Sequence, residues 1–196
     1  SSLSIMVFTR LRPEDSVLFV CDLQEKFRDR IIKFPEVVTV TARLVAAASI
    51  LEIPIIGTEQ KIFGPLVAEL NLPENTPVFE KMKFSMCIPP VEQLLPSTLK
   101  SVILCGIEAH ICILQTTLDL LERGIAVHVV VDATSSRSAV DRAFAFKQLE
   151  QAGAILTTSE CVLFGLCGGA DHPKFKQILK LIVESAPDTL IALADM

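Results

Sequence analysis

The 196-residue chain contains no tryptophan, no tyrosine and only three histidines. Lacking Trp and Tyr, it has no indole or phenol on which single-stranded nucleic acid could stack. Three scattered histidines offer no evident two-histidine acid–base pair. A basic excess is missing as well: 18 Lys and Arg face 23 Asp and Glu, for a net charge of −5. That balance gives no general attraction to phosphate backbones, so nucleic acid is not an expected partner. No apolar run approaches the ~20 residues of a membrane span, so no membrane partner is expected either.

What is present fits a folded α/β protein. The chain is 51% hydrophobic and 21% charged, apolar enough to bury a sizeable core. A single domain over residues 1–196 is the simplest reading, with its core at about 15–183. Six cysteines are scattered, and Cys21, Cys105 and Cys161 sit in or beside apolar, strand-like runs. The first twelve residues lack the apolar centre of a secretory signal. Reduced thiols in an intracellular compartment are expected, cytoplasmic in the first instance. Arg10 and Arg12, with no acid before them, leave a mitochondrial address open.

Short β-rich runs alternate with helical patterns. Strands are predicted at 17–21, 53–57, 77–79, 102–105, 126–131 and 154–156. Helices are predicted at 35–51, 109–123, 139–151 and 173–184, with Gly124 and Gly153 as natural stops. Segments 71–77 and 88–96, rich in proline, read as loops. This order implies a three-layer α/β/α, Rossmann-like fold around a mostly parallel sheet of about six strands. In such sheets ligands bind beyond the carboxyl ends of the strands, where strand order reverses. The residues to inspect are then Asp22, Gln24, 58–60, Lys81, 106–112 and 132–135.

Within that set Cys112 stands out. Residues 113, 114, 117, 118 and 121 form an apolar stripe at helical spacing, and Cys112 falls off it in the first turn. Backbone N–H groups and the helix dipole there favour a thiolate and could hold an oxyanion. A buried, inert thiol is the competing reading. His110 is the histidine nearest in sequence; His128 reads as a satisfied strand residue and His172 as a surface one. Asp22 follows an apolar strand in "LFVCDLQ", either as a site carboxylate needing a partner or as a helix N-cap. Lys81 and Lys83 in "FEKMKFSMC" both offer a cation, and spacing alone does not choose between them.

Taken together, "FVCDLQEKF", "EKMKFS" and "GIEAHICILQT", in that order, resemble the isochorismatase-like cysteine hydrolases. "TEQ" and "CILQT" point to the subgroup of isochorismatase domain-containing proteins. The resemblance implies the isochorismatase-like hydrolase fold and an Asp–Lys–Cys triad of Asp22, Lys81 and Cys112. Lys81 is chosen over Lys83 because Phe84 and Ser85 complete the family's lysine–x–x–aromatic–Ser step. It also implies a cis peptide at Ile107–Glu108, with the N–H groups of Glu108 and Cys112 forming the oxyanion hole. Dimers or larger homo-oligomers are common in the family.

Departures from the pattern narrow the chemistry. Nicotinamidases of the family hold a metal through an Asp-x-His motif after the second strand; here that place reads "TEQKIFG", and no His precedes position 110. No metal and no other cofactor are expected. "FGLCGGAD" lacks the glycine spacing of a dinucleotide site. The expected activity is cleavage of an amide or carbamoyl C–N bond in a small-molecule substrate through a thioester. Phe27, Gln60, Phe84 and Ile111 are the candidate pocket residues, and the Glu108 side chain is expected to turn away from the oxyanion. The alternatives are a catalytically silent interaction module and, following related trypanosomatid proteins, a ribonuclease.

Overall fold

A computed structural model describes residues 10–189; the stretch 1–9, most of the segment read for a targeting signal, lies outside them. Six strands form one sheet: β1 (Ser16–Cys21), β2 (Ile55–Gln60), β3 (Val78–Lys81), β4 (Ser101–Ile107), β5 (Ala126–Ser135) and β6 (Ile155–Thr157). Their order is β3-β2-β1-β4-β5-β6 and every pairing is parallel. The chain runs outward from β1 to β3, then crosses back to β4 beside β1. The order reverses between β1 and β4, the place where parallel α/β sheets open a crevice.

The helices are α1 (Phe34–Ile50), α2 (Pro89–Glu92), α3 (Leu114–Glu122), α4 (Ala139–Ala152), α5 (Ser159–Cys167) and α6 (Phe175–Leu181). Strand periodicity divides the core between two faces. Leu18, Val20, Ile103 and Cys105 pack with α1, α5 and α6. Val17, Phe19, Cys21, Val102 and Leu104 pack with α2, α3 and α4. Strands buried on both faces read as unbroken apolar runs for this reason. Among the described residues no helix is long and apolar enough to cross a membrane.

Several boundaries differ from the sequence reading, mostly because strands run on past their apolar segments. β2 extends to Gln60 because Gly57–Gln60 is in register with Val78–Lys81. β5 extends to Ser135, so residues 132–135 are strand rather than loop. Gly106 lies inside β4 at φ 120°, not in a turn. A Cβ on Gly106 would stand 2.0 Å from the Cys21 carbonyl oxygen, so only glycine lets β1 and β4 approach there. Helix α5 escaped the sequence reading, and Cys161 is exposed on it rather than held in a strand. Asp132 accepts bonds from the Ser159 N–H and hydroxyl (2.8 and 2.6 Å), so it anchors the start of α5.

Candidate active site

The carboxyl ends of β1, β2 and β3 deliver three side chains to one point. Asp22 follows β1 at φ 51°, a left-handed conformation that Asp tolerates better than most residues. Its carboxylate accepts from the Thr58 hydroxyl (2.8 Å) on β2 and from Lys81 Nζ (2.7 Å) at the end of β3. No α-helix starts beside it; Gln24 N-caps a short 3₁₀ turn, and Asp22 does not cap. The ion pair is buried, the side chains being 0% and 2% exposed. Such a pair persists only when its remaining hydrogen-bonding capacity is used. Lys81 meets that condition through the Gln60 side-chain oxygen (2.7 Å) and the Phe84 carbonyl (2.9 Å).

Lys81 Nζ also lies 3.6 Å from Cys112 Sγ. Burial works to lower the Lys81 pKa, but the acidic neighbours Cys21, Asp22 and Cys112 outweigh it and hold it above its ordinary value. The ammonium is therefore a fixed positive charge beside the sulfur. Lys83 instead reaches the surface and pairs with Asp119 at 2.6 Å.

Cys112 enters from the other side of the β1/β4 crevice. The turn after β4, Ala109–Ile113, is π-helical, with the Ile113 N–H bonded to the Glu108 carbonyl at 3.2 Å, and α3 follows. The wide first turn rotates the helix relative to an ideal wheel. Its buried residues become Cys112, Ile113, Thr116, Thr117 and Leu120, so Cys112 lies on the inward face, not opposite it. Thr116 fixes that turn, donating to the Cys112 carbonyl (2.6 Å) and accepting from the Met86 N–H (2.9 Å).

The peptide between Ile107 and Glu108 is cis. The Glu108 carboxylate is turned onto Arg137, accepting from its backbone N–H at 2.9 Å and its guanidinium at 3.2 Å. None of the histidines joins the cluster. His110 bonds to Ser136 at 2.9 Å, and His172 Nδ1 accepts from the Lys174 N–H at 3.1 Å. His128 is buried in the sheet with Nε2 unpartnered among the described residues, and burial lowers its pKa to about 4. The expectation of a satisfied strand histidine holds for its place on β5 and is corrected at Nε2, which burial leaves without a partner among the described residues.

Above the cluster is a cavity of about 280 Å³ into which Asp22, Cys112 and Glu108 face. Phe27, Gln60, Phe84 and Ile111, the sequence candidates, all line it. Phe63 stacks on Phe27 with ring centroids 4.6 Å apart. Phe63, Arg30, Ile31 and Arg137 also line the cavity and were not found from sequence. Arg137 had a signal: it lies just past the true end of β5. Cys21, Asp22 and Cys112 each place a potential metal-ligating atom within 4.8 Å of the others, but Lys81 already supplies the positive charge at that point.

Comparison with known proteins matches this architecture. The isochorismatase domain model matches residues 16–161. Human isochorismatase domain-containing protein 2 is 53% identical over 184 residues, covering 92% of this chain and 89% of the human protein. A structure described as the MAR1 ribonuclease from Caenorhabditis elegans is 63% identical, with TM-score 0.91, covering 94% of this chain and 98% of that one. YcaC from Pseudomonas aeruginosa, solved with hexane-2,5-diol and covalent acrylamide, is 25% identical with TM-score 0.80, covering 90% and 93% of the two chains. With its six-stranded parallel sheet, its crevice between β1 and β4 and a match over most of its length, the chain belongs to the isochorismatase family.

Proposed function

We propose that the protein is a cysteine hydrolase that cleaves a C–N bond in a small amide or carbamoyl compound. The observation that carries this reading is Lys81 Nζ, bonded to Asp22 at 2.7 Å and standing 3.6 Å from Cys112 Sγ on the cavity side of the cluster. Asp22 accepts the thiol proton, and Lys81 balances the negative charge that results. The Cys112 thiolate attacks the carbonyl carbon. The backbone N–H groups of Glu108 and Cys112 hold the oxyanion, each donor worth on the order of 10²–10³ in rate. Collapse expels the amine, which takes its proton back through Asp22. Water then hydrolyses the thioester.

Two further observations support this chemistry. The Glu108 carboxylate is neutralised by Arg137 and so does not oppose the oxyanion. Acrylamide is a thiol-directed electrophile, and the Pseudomonas YcaC structure carries it covalently. The cavity of about 280 Å³ suits a small substrate.

A ribonuclease is the second reading, favoured by the description of the 63% identical Caenorhabditis structure. Against it stand the net charge of −5 and a cavity lining that contains no histidine. The test begins with iodoacetamide labelling located by peptide mass. Cys161 is exposed and Cys112 only 7% exposed, so access alone favours Cys161. Cys112 is expected to label about tenfold faster than any other thiol at pH 7, and more slowly in Asp22→Asn. A panel of amides is then screened for ammonia release, which Cys112→Ala is expected to abolish. Equal labelling of Cys112 and the other thiols would favour a silent binding module. Salt-dependent RNA binding, with cleavage lost in Cys112→Ala, would favour the ribonuclease.

A further inference from the structure

The reaction above uses one of two thiols in the cluster and leaves the other without a task. Cys21, the last residue of β1, is fully buried. Its sulfur and that of Cys112 lie within 4.8 Å of each other and of an Asp22 oxygen. We propose that Cys21 is the resolving thiol of a reversible redox site, which closes a disulfide with Cys112 after a peroxide has oxidised Cys112. The proposal rests on Cys112 being the reactive thiol of the preceding reading.

The backbone brings the two residues together. Cys21 is in register with Gly106 on β4, where the missing side chain allows close contact with the Cys21 backbone. Six residues later the chain returns as the turn that carries Cys112. The two sulfurs are thereby neighbours within 4.8 Å, and the proposal requires side-chain movement to close them to the ~2.05 Å of an S–S bond.

The surroundings set the order of events. Burial pushes the Cys21 thiol well above its ordinary pKa, and the neighbouring Cys112 and the charge of Asp22 push it the same way. Cys21 therefore stays protonated while Cys112, which faces the cavity beside Lys81, meets the peroxide first. The Cys112 thiolate attacks one peroxide oxygen: an S–O bond forms, the O–O bond breaks, and hydroxide leaves to be protonated as water. Cys21 sulfur then attacks the sulfenic sulfur as Asp22 takes its proton. The S–S bond forms, the S–O bond breaks, and the departing hydroxide collects that proton as a second water. One peroxide is reduced by two electrons and two thiols are oxidised. The disulfide shields Cys112 from irreversible sulfinic acid and is reopened by a dithiol.

The test is to expose the native protein to hydrogen peroxide, block free thiols under denaturing conditions and map peptides without reduction. A Cys21–Cys112 linked peptide lighter by two hydrogens is expected, with both thiols restored by dithiothreitol. In Cys21→Ala, Cys112 is expected to proceed to sulfinic acid that dithiothreitol does not reverse. Sulfinic acid at Cys112 beside a free Cys21 in wild type would overturn the proposal while leaving the nucleophile intact. A disulfide from Cys112 to any other cysteine would overturn it too. If Cys112 resisted both peroxide and iodoacetamide, the hydrolase reading would fall with it.

Discussion

The sheet has a cavity at each end, and the larger is not the one beside the buried ion pair. At the amino ends of the strands a groove of about 600 Å³ is lined by Arg10, Arg12, Glu52, His172 and Lys174, among others. At the carboxyl ends the cavity is less than half that volume, at about 280 Å³. In the groove, Lys174 and Glu52 pair at 3.0 Å with side chains 33% and 83% exposed. In the cavity, Lys81 and Asp22 pair at 2.7 Å with almost no exposure. Water screens the first pair and leaves its members interchangeable with solvent; the second has no solvent to fall back on. The comparison teaches that a site is recognised by groups whose charge the fold itself must satisfy, not by the space above them.

The strongest way to break the comparison is to remove the buried cation. Lys81→Met strands the Asp22 carboxylate in the interior and is expected to cost about 3–5 kcal/mol in urea unfolding, whereas Lys83→Met, two residues along on the surface, costs ~1 kcal/mol or less. Equal losses would mean that the buried pair is not fixed as described.

His128 sharpens the distinction between burial and function. It is buried without a partner at Nε2 and faces neither cavity. Its folded pKa of about 4 lies below the ordinary 6.5, so the unfolded chain takes up the proton first. The stability it contributes is complete above pH 6.5 and is lost as pH falls toward 4, by up to about 3 kcal/mol. Unfolding followed from pH 7 to 4 is expected to show that loss in wild type and a shallower one in His128→Phe. The smallest effect belongs to the groove: Lys174→Ala is expected to change stability by less than ~1 kcal/mol and to leave the Cys112 alkylation rate unchanged.

How far the site was legible follows from the same physics. Asp22 announced itself because a carboxylate at the end of an apolar run is costly unless paired. Cys112 did so by its place in a first helical turn, although the off-stripe position read for it became an inward one. Spacing alone left Lys81 and Lys83 equal; the family resemblance favoured Lys81, and the fold places it on Asp22 while sending Lys83 to Asp119. Arg137 and Phe63 were missed because their roles depend on where β5 ends and how the 61–64 loop returns over Phe27. Helix α5 was missed because its residues between 161 and 167 are almost uniformly apolar and lack a helical stripe.

By itself the sequence determined the alternation of buried strands and helices, and with it a parallel sheet whose carboxyl ends hold the candidate residues. These are local properties, written in the period and polarity of short segments. Only the tertiary structure decided which groups meet: Lys81 on Asp22, Arg137 on Glu108, and Cys21 within 4.8 Å of Cys112. Those contacts join residues 29 to 91 positions apart in sequence. They exist because strand order and the close approach at Gly106 bring separate chain ends to one crevice, which no local pattern encodes.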